Sequence, residues 1–81
     1  MTNTLTQEPL RVRTDQGAPG PWLKLPESQV PRVRALLDEN RVYYWRDEHA
    51  YSVDDNPEFT FLYFGREGDA GLIQRLLDSA P

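Results

Sequence analysis

One short stretch holds most of the side chains that could do acid–base or metal chemistry. Residues 41–55, RVYYWRDEHAYSVDD, carry the chain's single histidine, four carboxylates and four aromatic rings. His49 beside Asp47, Glu48 and Asp54 has the residue types of a metal site or a general base. A metal site needs three or four convergent ligands, and one histidine with adjacent carboxylates does not supply them. Neighbours along a strand also point to opposite sides. General-base catalysis needs a nucleophile or an oxyanion donor within reach, and none is identifiable next to His49. The stretch reads instead as a β-hairpin, with its rings on the strands and Asp47, Glu48 and His49 in a polar turn. The expectation is no catalytic residue, no metal ligand, no cofactor and no enzyme.

A second motif, FGREGDAG at residues 64–71, sets glycines between a strand and a helix start. Backbone N–H groups cradle phosphate in such settings. The pattern is neither GxGxxG nor GxxxxGK[ST], it has no lysine, and Glu67 and Asp69 would repel an anion. It reads as a strand stop followed by a capped helix.

The aromatic residues carry the stronger signal. Along EFTFLYF, Phe59, Phe61 and Tyr63 share one face, and Thr60, Leu62 and Phe64 the other. Along VYYW, Tyr43 and Trp45 lie opposite Val42 and Tyr44. One face of the sheet must form the core, which leaves large apolar groups on the other. Exposed apolar faces mark protein interfaces. The candidate partner surface is therefore Tyr43, Trp45, Tyr51, Phe59, Phe61 and Tyr63. An RNA-stacking sheet would begin its signature strand with Lys or Arg and Gly in a basic field; here the strand begins Glu58-Phe59 in an acidic one.

Charge supports that exclusion. Residues 1–40 carry five basic and five acidic groups, whereas residues 41–81 carry four basic and eight acidic groups. Phosphate contacts supply most nucleic-acid affinity, so this balance predicts no nucleic-acid partner. The N-terminus, MTNTLTQEPL, lacks the basic cluster and apolar run of a signal peptide, and no apolar run approaches the roughly 18 residues of a membrane span. No membrane role and a cytoplasmic location are expected; the absence of cysteine fits a reducing compartment.

The elements that must position these residues follow from periodicity. Residues 1–8 are polar and aperiodic, a flexible N-terminal tail before a single domain at 9–81. Leu10 and Val12 alternate with Arg11 and Arg13, predicting a first strand at 10–14. Residues 22–25 read as a stretch that extends that strand or pairs with it. A helix over about 29–39 is capped by Ser28, admits Pro31 in its first turn and stops at a left-handed Asn40. Three strands follow, in RVYYWR, AYSV and EFTFLYF, as an antiparallel meander. A second helix begins after the N-cap Asp69 and shows Leu72, Ile73, Leu76 and Leu77 as its apolar stripe. The order is β-α-β-β-β-α: an α+β two-layer sandwich with both helices on one face of a mainly antiparallel sheet, ferredoxin-like without the last strand.

Two resemblances bear on function. YYWRDEHAYSVDDNPEFTFLYFGREGD followed by LIQRLLDS, within the run from Val42 to Ser79, resembles small uncharacterised bacterial proteins with a strand-turn-strand core and no assigned activity. That resemblance implies an α+β domain. RVRTDQGAPGPWL resembles the strand-to-helix turn of ACT regulatory domains, which implies amino-acid binding at a dimer interface with Asp15, Pro19 and Gly20 as counterparts. The leading expectation is an interaction or accessory module using its open aromatic sheet face, with a second copy or another protein as partner. The alternative is an ACT-like small-molecule-binding regulatory domain.

Overall fold

The computed structural model describes residues 1–14, 19–54 and 56–80. Its elements run β1 (Trp22–Pro26), a 3-10 turn (Glu27–Gln29), α1 (Val30–Glu39), β2 (Trp45–Arg46), β3 (Phe59–Tyr63) and α2 (Ala70–Ser79). The three strands form one antiparallel sheet in the order β1-β3-β2. β3 is central, with Leu23 opposite Leu62 on one side and Trp45 opposite Tyr63 on the other.

Alternation along the strands divides the sheet into two unlike faces. Leu23, Leu25, Leu62 and Phe64 turn inward and are closed over by Val30, Val33 and Leu37 of α1 and by Ile73 and Leu77 of α2. Both helices thus cover the same face, and Leu10 joins the core from the N-terminal segment. Each fully buried aliphatic side chain contributes on the order of 1.5–3 kcal/mol, so this layer carries the fold. The other face carries Trp22, Phe59, Phe61 and Tyr63, all half-buried.

Several expected elements differ. The β-α-β-β-β-α order is replaced by β-α-β-β-α among the described residues. The predicted strand at 10–14 reduces to a single bridge, Arg13 to Trp22. Its backbone is claimed by α2 instead: Gln74 accepts from the Val12 amide at 2.8 Å and donates to the Leu10 carbonyl at 3.0 Å. Residues 22–25, expected to extend or pair with that strand, form β1 together with Pro26.

The predicted hairpin over 41–55 does not form. Its two arms do not pair with each other; both lie along β3. Trp45 and Arg46 pair with Tyr63 and Leu62, the Asp47 amide donates to the Phe61 carbonyl, and Tyr51 bridges to Phe59. Between 47 and 51 the chain bulges outward. The Asp47 carboxylate accepts from the His49 amide at 2.9 Å, and the Thr60 hydroxyl donates to the His49 carbonyl at 2.9 Å. A short Asp side chain competing for its own backbone in this way interrupts a ladder, and the bulge blunts what would be an exposed edge.

The helix ends also moved. Ser28 lies exposed in the 3-10 turn, and α1 is preceded by Gln29, which makes no side-chain cap. Gln29 is buried because its amide holds the N-terminal segment, accepting from the Thr4 amide and donating to the Thr2 carbonyl at 2.8 Å. Residues 1–8, expected as a flexible tail, carry these contacts and another from the Met1 amino group to the Leu77 carbonyl. The left-handed stop of α1 is Arg41 (φ 56°), one residue past Asn40. Arg41 and Val42 amides return to the Asp38 and Leu37 carbonyls, the paired bonds of a Schellman motif. Asp69 caps α2 as expected, accepting from the Leu72 amide at 3.0 Å.

Candidate functional site

The helix-free face carries a connected array of rings. Phe61 sits at its centre, 6.0 Å from Trp22, 5.9 Å from Phe59, 5.7 Å from Tyr51 and 6.3 Å from Tyr63, centroid to centroid. Tyr63 leads to Trp45 at 5.7 Å, and Trp45 to Tyr43 at 5.9 Å. Tyr51 stacks on Phe59 at 5.8 Å and meets the His49 ring edge-on at 6.3 Å. Such spacings favour the edge-to-face and offset geometries that hold aromatic clusters together. The structure therefore brings all six residues of the predicted surface onto one face. Tyr43 remains 72% exposed and Trp45 42% exposed.

Three neighbours were not singled out as part of this surface from sequence. Trp22 and Lys24 project from β1 onto the same face, since Trp22 pairs with Tyr63 and Lys24 with Phe61. The Lys24 ammonium stands 4.3 Å from the Phe59 centroid, and the Arg13 guanidinium 5.9 Å from the Trp22 ring. The alternation in WLKL was the available signal. Asp47 is the third: its carboxylate accepts from the Tyr51 and Tyr63 hydroxyls at 3.1 and 3.0 Å. The His49 amide, then the two tyrosine hydroxyls, hold the Asp47 carboxyl below its ordinary range. Partial desolvation and then the bond to Asp47 push both tyrosines above theirs.

Charge is divided across the face. Lys24 of β1 and Arg13 beside Trp22 put cations on one side, and the Asp47 carboxylate, directly after β2, lies on the other. Of the basic groups near β2, Arg46 pairs with Glu27, Arg34 donates to the Tyr44 hydroxyl, which itself donates to Asp38, and Arg41 borders a cleft with Tyr43.

Clefts lie at both ends of the array. Pro19, Gly20 and Pro21 border one of about 240 Å³ with Trp45 and Tyr63. Leu5, Lys24, Pro26, Val53 and Phe59 are among the residues around another of about 440 Å³. Of the predicted ligand loop, Asp15 lies outside the described residues, while Pro19 and Gly20 line the smaller cleft. Gly20 has a backbone reason to be glycine: its φ is 113°, and a Cβ there would fall 2.0 Å from the Gly65 carbonyl oxygen.

The acid–base candidates are dispersed. His49 is exposed, and among the described residues no three His, Asp or Glu side chains are grouped to hold a metal ion. In the 64–71 motif the Asp69 carboxylate already occupies an amide of the first turn of α2, and Gly68 folds back on the Gly65 carbonyl at 3.0 Å. No described helix is long and apolar enough to cross a membrane. In comparisons with known proteins, no family model matches the chain, and neither a curated protein nor a solved structure does.

Proposed function

We propose that this chain is a non-catalytic interaction or accessory module that binds another protein, or a second copy of itself, through its helix-free face. The observation that carries the reading is the connected ring array from Tyr43 to Phe59 on the side of the sheet that neither helix covers. Its rings lean on one another and still offer apolar area to solvent, most of all at Tyr43, a condition that marks interaction surfaces. The acidic 47–58 connection disfavours phosphate, so nucleic acid is not the partner we infer, and a cytoplasmic setting fits a chain without cysteine. We also read the arrangement, with α1 joining the two outer strands, as a split β-α-β unit, a ferredoxin-like sandwich shortened by its last strand.

Native mass spectrometry of the freshly purified protein tests the reading. A dimer or a retained protein, lost in Trp45→Ala, is the expected result; bare monomer at every concentration, with no retained chain, would contradict it. A second reading, an ACT-like regulatory site, draws on the cleft where Pro19 and Gly20 face Trp45 and Tyr63. A ligand bound only by the folded state raises the melting temperature, so a panel of amino acids and nucleotides that leaves it unchanged removes that reading.

A further inference from the structure

The larger of the two clefts at the ends of the ring array has a chemistry of its own. Its volume, about 440 Å³, falls within the range of about 300–1,000 Å³ found for small-molecule pockets. Two separate turns build its walls. On one side the Asn3 side-chain oxygen accepts from the Leu5 and Thr6 amides at 2.8 and 3.1 Å, which fixes Leu5. On the other, the Asn56 amide donates to the Val53 carbonyl at 2.9 Å and the Ser52 hydroxyl to the Asn56 carbonyl at 2.8 Å, which fixes Val53. Pro26, Pro57 and Phe59 add to the apolar lining. Leu5 and Val53 stay 48% and 55% exposed, so this lining is open to solvent.

One cation stands among these apolar groups. The Lys24 ammonium lies 4.3 Å from the Phe59 centroid, and the residue is exposed. Among the described residues no carboxylate lines the cleft, and the ammonium rests on a ring. A lysine ammonium has three donors, and a ligand carboxylate that accepts from them makes a charge-assisted bond. Asp54 and Glu58, exposed and next in the chain to lining residues, set a limit. They disfavour a polyanion lying along the surface, whereas a single carboxylate needs only the one cation. Size narrows the ligand further. A water-sized unit takes about 30 Å³, so the cleft holds up to about fourteen non-hydrogen atoms.

The geometry points to a small-molecule site here: the cleft takes a free monocarboxylic acid with an apolar body, its carboxylate on Lys24 and its body between Leu5, Val53 and Phe59. The cleft shares only Phe59 with the ring array. The site therefore goes beyond the partner reading and stands apart from it.

The test uses the full chain, labelled with ¹⁵N, at constant pH and ionic strength. The titrants are butanoate, hexanoate and octanoate below micelle formation, with octylammonium as the charge-reversed control. The amide signals of Lys24, Val53 and Phe59 are expected to move and saturate while the Trp45 indole signal, at the other end of the array, stays still. Affinity should rise about two- to four-fold for each added methylene, and octylammonium should not saturate. Lys24→Gln, at an exposed position, should weaken octanoate about two- to five-fold. Val53→Asp sets a carboxylate in the lining and should abolish saturation; thermal melting checks that both variants fold. Octylammonium binding as tightly as octanoate overturns the assignment of charge and with it the proposal. So does an affinity that ignores chain length, or a Trp45 signal that moves in step with Phe59, as detergent-like coating of the face would give. Capture by phosphatidylglycerol vesicles with no response to octanoate would place a membrane surface in the cleft and overturn it as well. Absence of saturation with every acid overturns the site and leaves the partner reading, which native mass spectrometry tests separately.

Discussion

The same chemical change, glycine to alanine, should have opposite signs at Gly20 and Gly71. At Gly20 a new Cβ would lie 2.0 Å from the Gly65 carbonyl oxygen and 2.3 Å from its carbon. Ordinary contact lies above 3 Å, so the two backbone segments must part by more than about 1 Å. The φ of 113° adds strain, because L-residues avoid the left-handed side at about 1–2 kcal/mol. Overpacking of this kind costs a further 1–3 kcal/mol. Together the loss is about 2–5 kcal/mol, out of a total stability of about 4–12 kcal/mol for 81 residues. At about 4–8 °C per kcal/mol, the melting temperature should fall by about 8 °C or more. Gly71 sits exposed in the first turn of α2, and its nearest neighbour to an added Cβ is an Asp69 carboxylate oxygen at 3.5 Å. Alanine there restores helix propensity and should stabilise by a few tenths to about 1 kcal/mol. Thermal and urea unfolding followed by circular dichroism measures both. A Gly20→Ala loss under 1 kcal/mol would mean that residues 19–21 do not rest on Gly65, and the cleft beside Trp45 would lose its wall.

Other substitutions probe individual devices. Arg41→Gly should stabilise by about 0.5–1 kcal/mol, since Arg41 holds φ 56° at the end of α1 and glycine removes the left-handed penalty; a loss in urea unfolding would show that the arginine side chain contributes more than its backbone costs. Asp69→Ala should cost about 1 kcal/mol by freeing the Leu72 amide, and Asp69→Asn should recover most of it. Asp47 is held below its ordinary pKa chiefly by the His49 amide, and then by the Tyr63 and Tyr51 hydroxyls. Its contribution is therefore present above the unfolded value near pH 4 and disappears as pH falls through the lower folded value. Urea midpoints should drop over that acid window in the wild type and less steeply in Asp47→Asn; parallel profiles would remove Asp47 from the account.

The sequence made the faces of the sheet legible and left its connectivity obscure. Alternation alone placed Phe59, Phe61 and Tyr63 together and set Tyr43 and Trp45 against Val42 and Tyr44, because a strand's two-residue period is local. Asp69 was likewise readable as a cap, its partner being three residues away. The hairpin at 41–55 was misjudged because composition does not reveal which strand a segment will pair with. Asp47 bonding to the His49 amide pushes the chain outward and returns it to β3 at Tyr51. The lost strand at 10–14 has a similar cause: Gln74, more than sixty residues away in sequence, supplies the hydrogen bonds that a sheet would have given. Trp22 and Lys24 escaped the surface because residues 22–25 were expected to extend or pair with a strand at 10–14, whereas their partner is β3.

Site-specific photo-crosslinking in the cells that make the protein tests the central claim most directly. Benzoylphenylalanine replaces Trp45 on the open face in one variant and Ala35, exposed on α1, in another. The account requires a crosslinked band of higher mass at position 45 and only background at position 35. Equal yields at both, or a product from position 35 alone, would show that the aromatic face is not where this protein meets its partner.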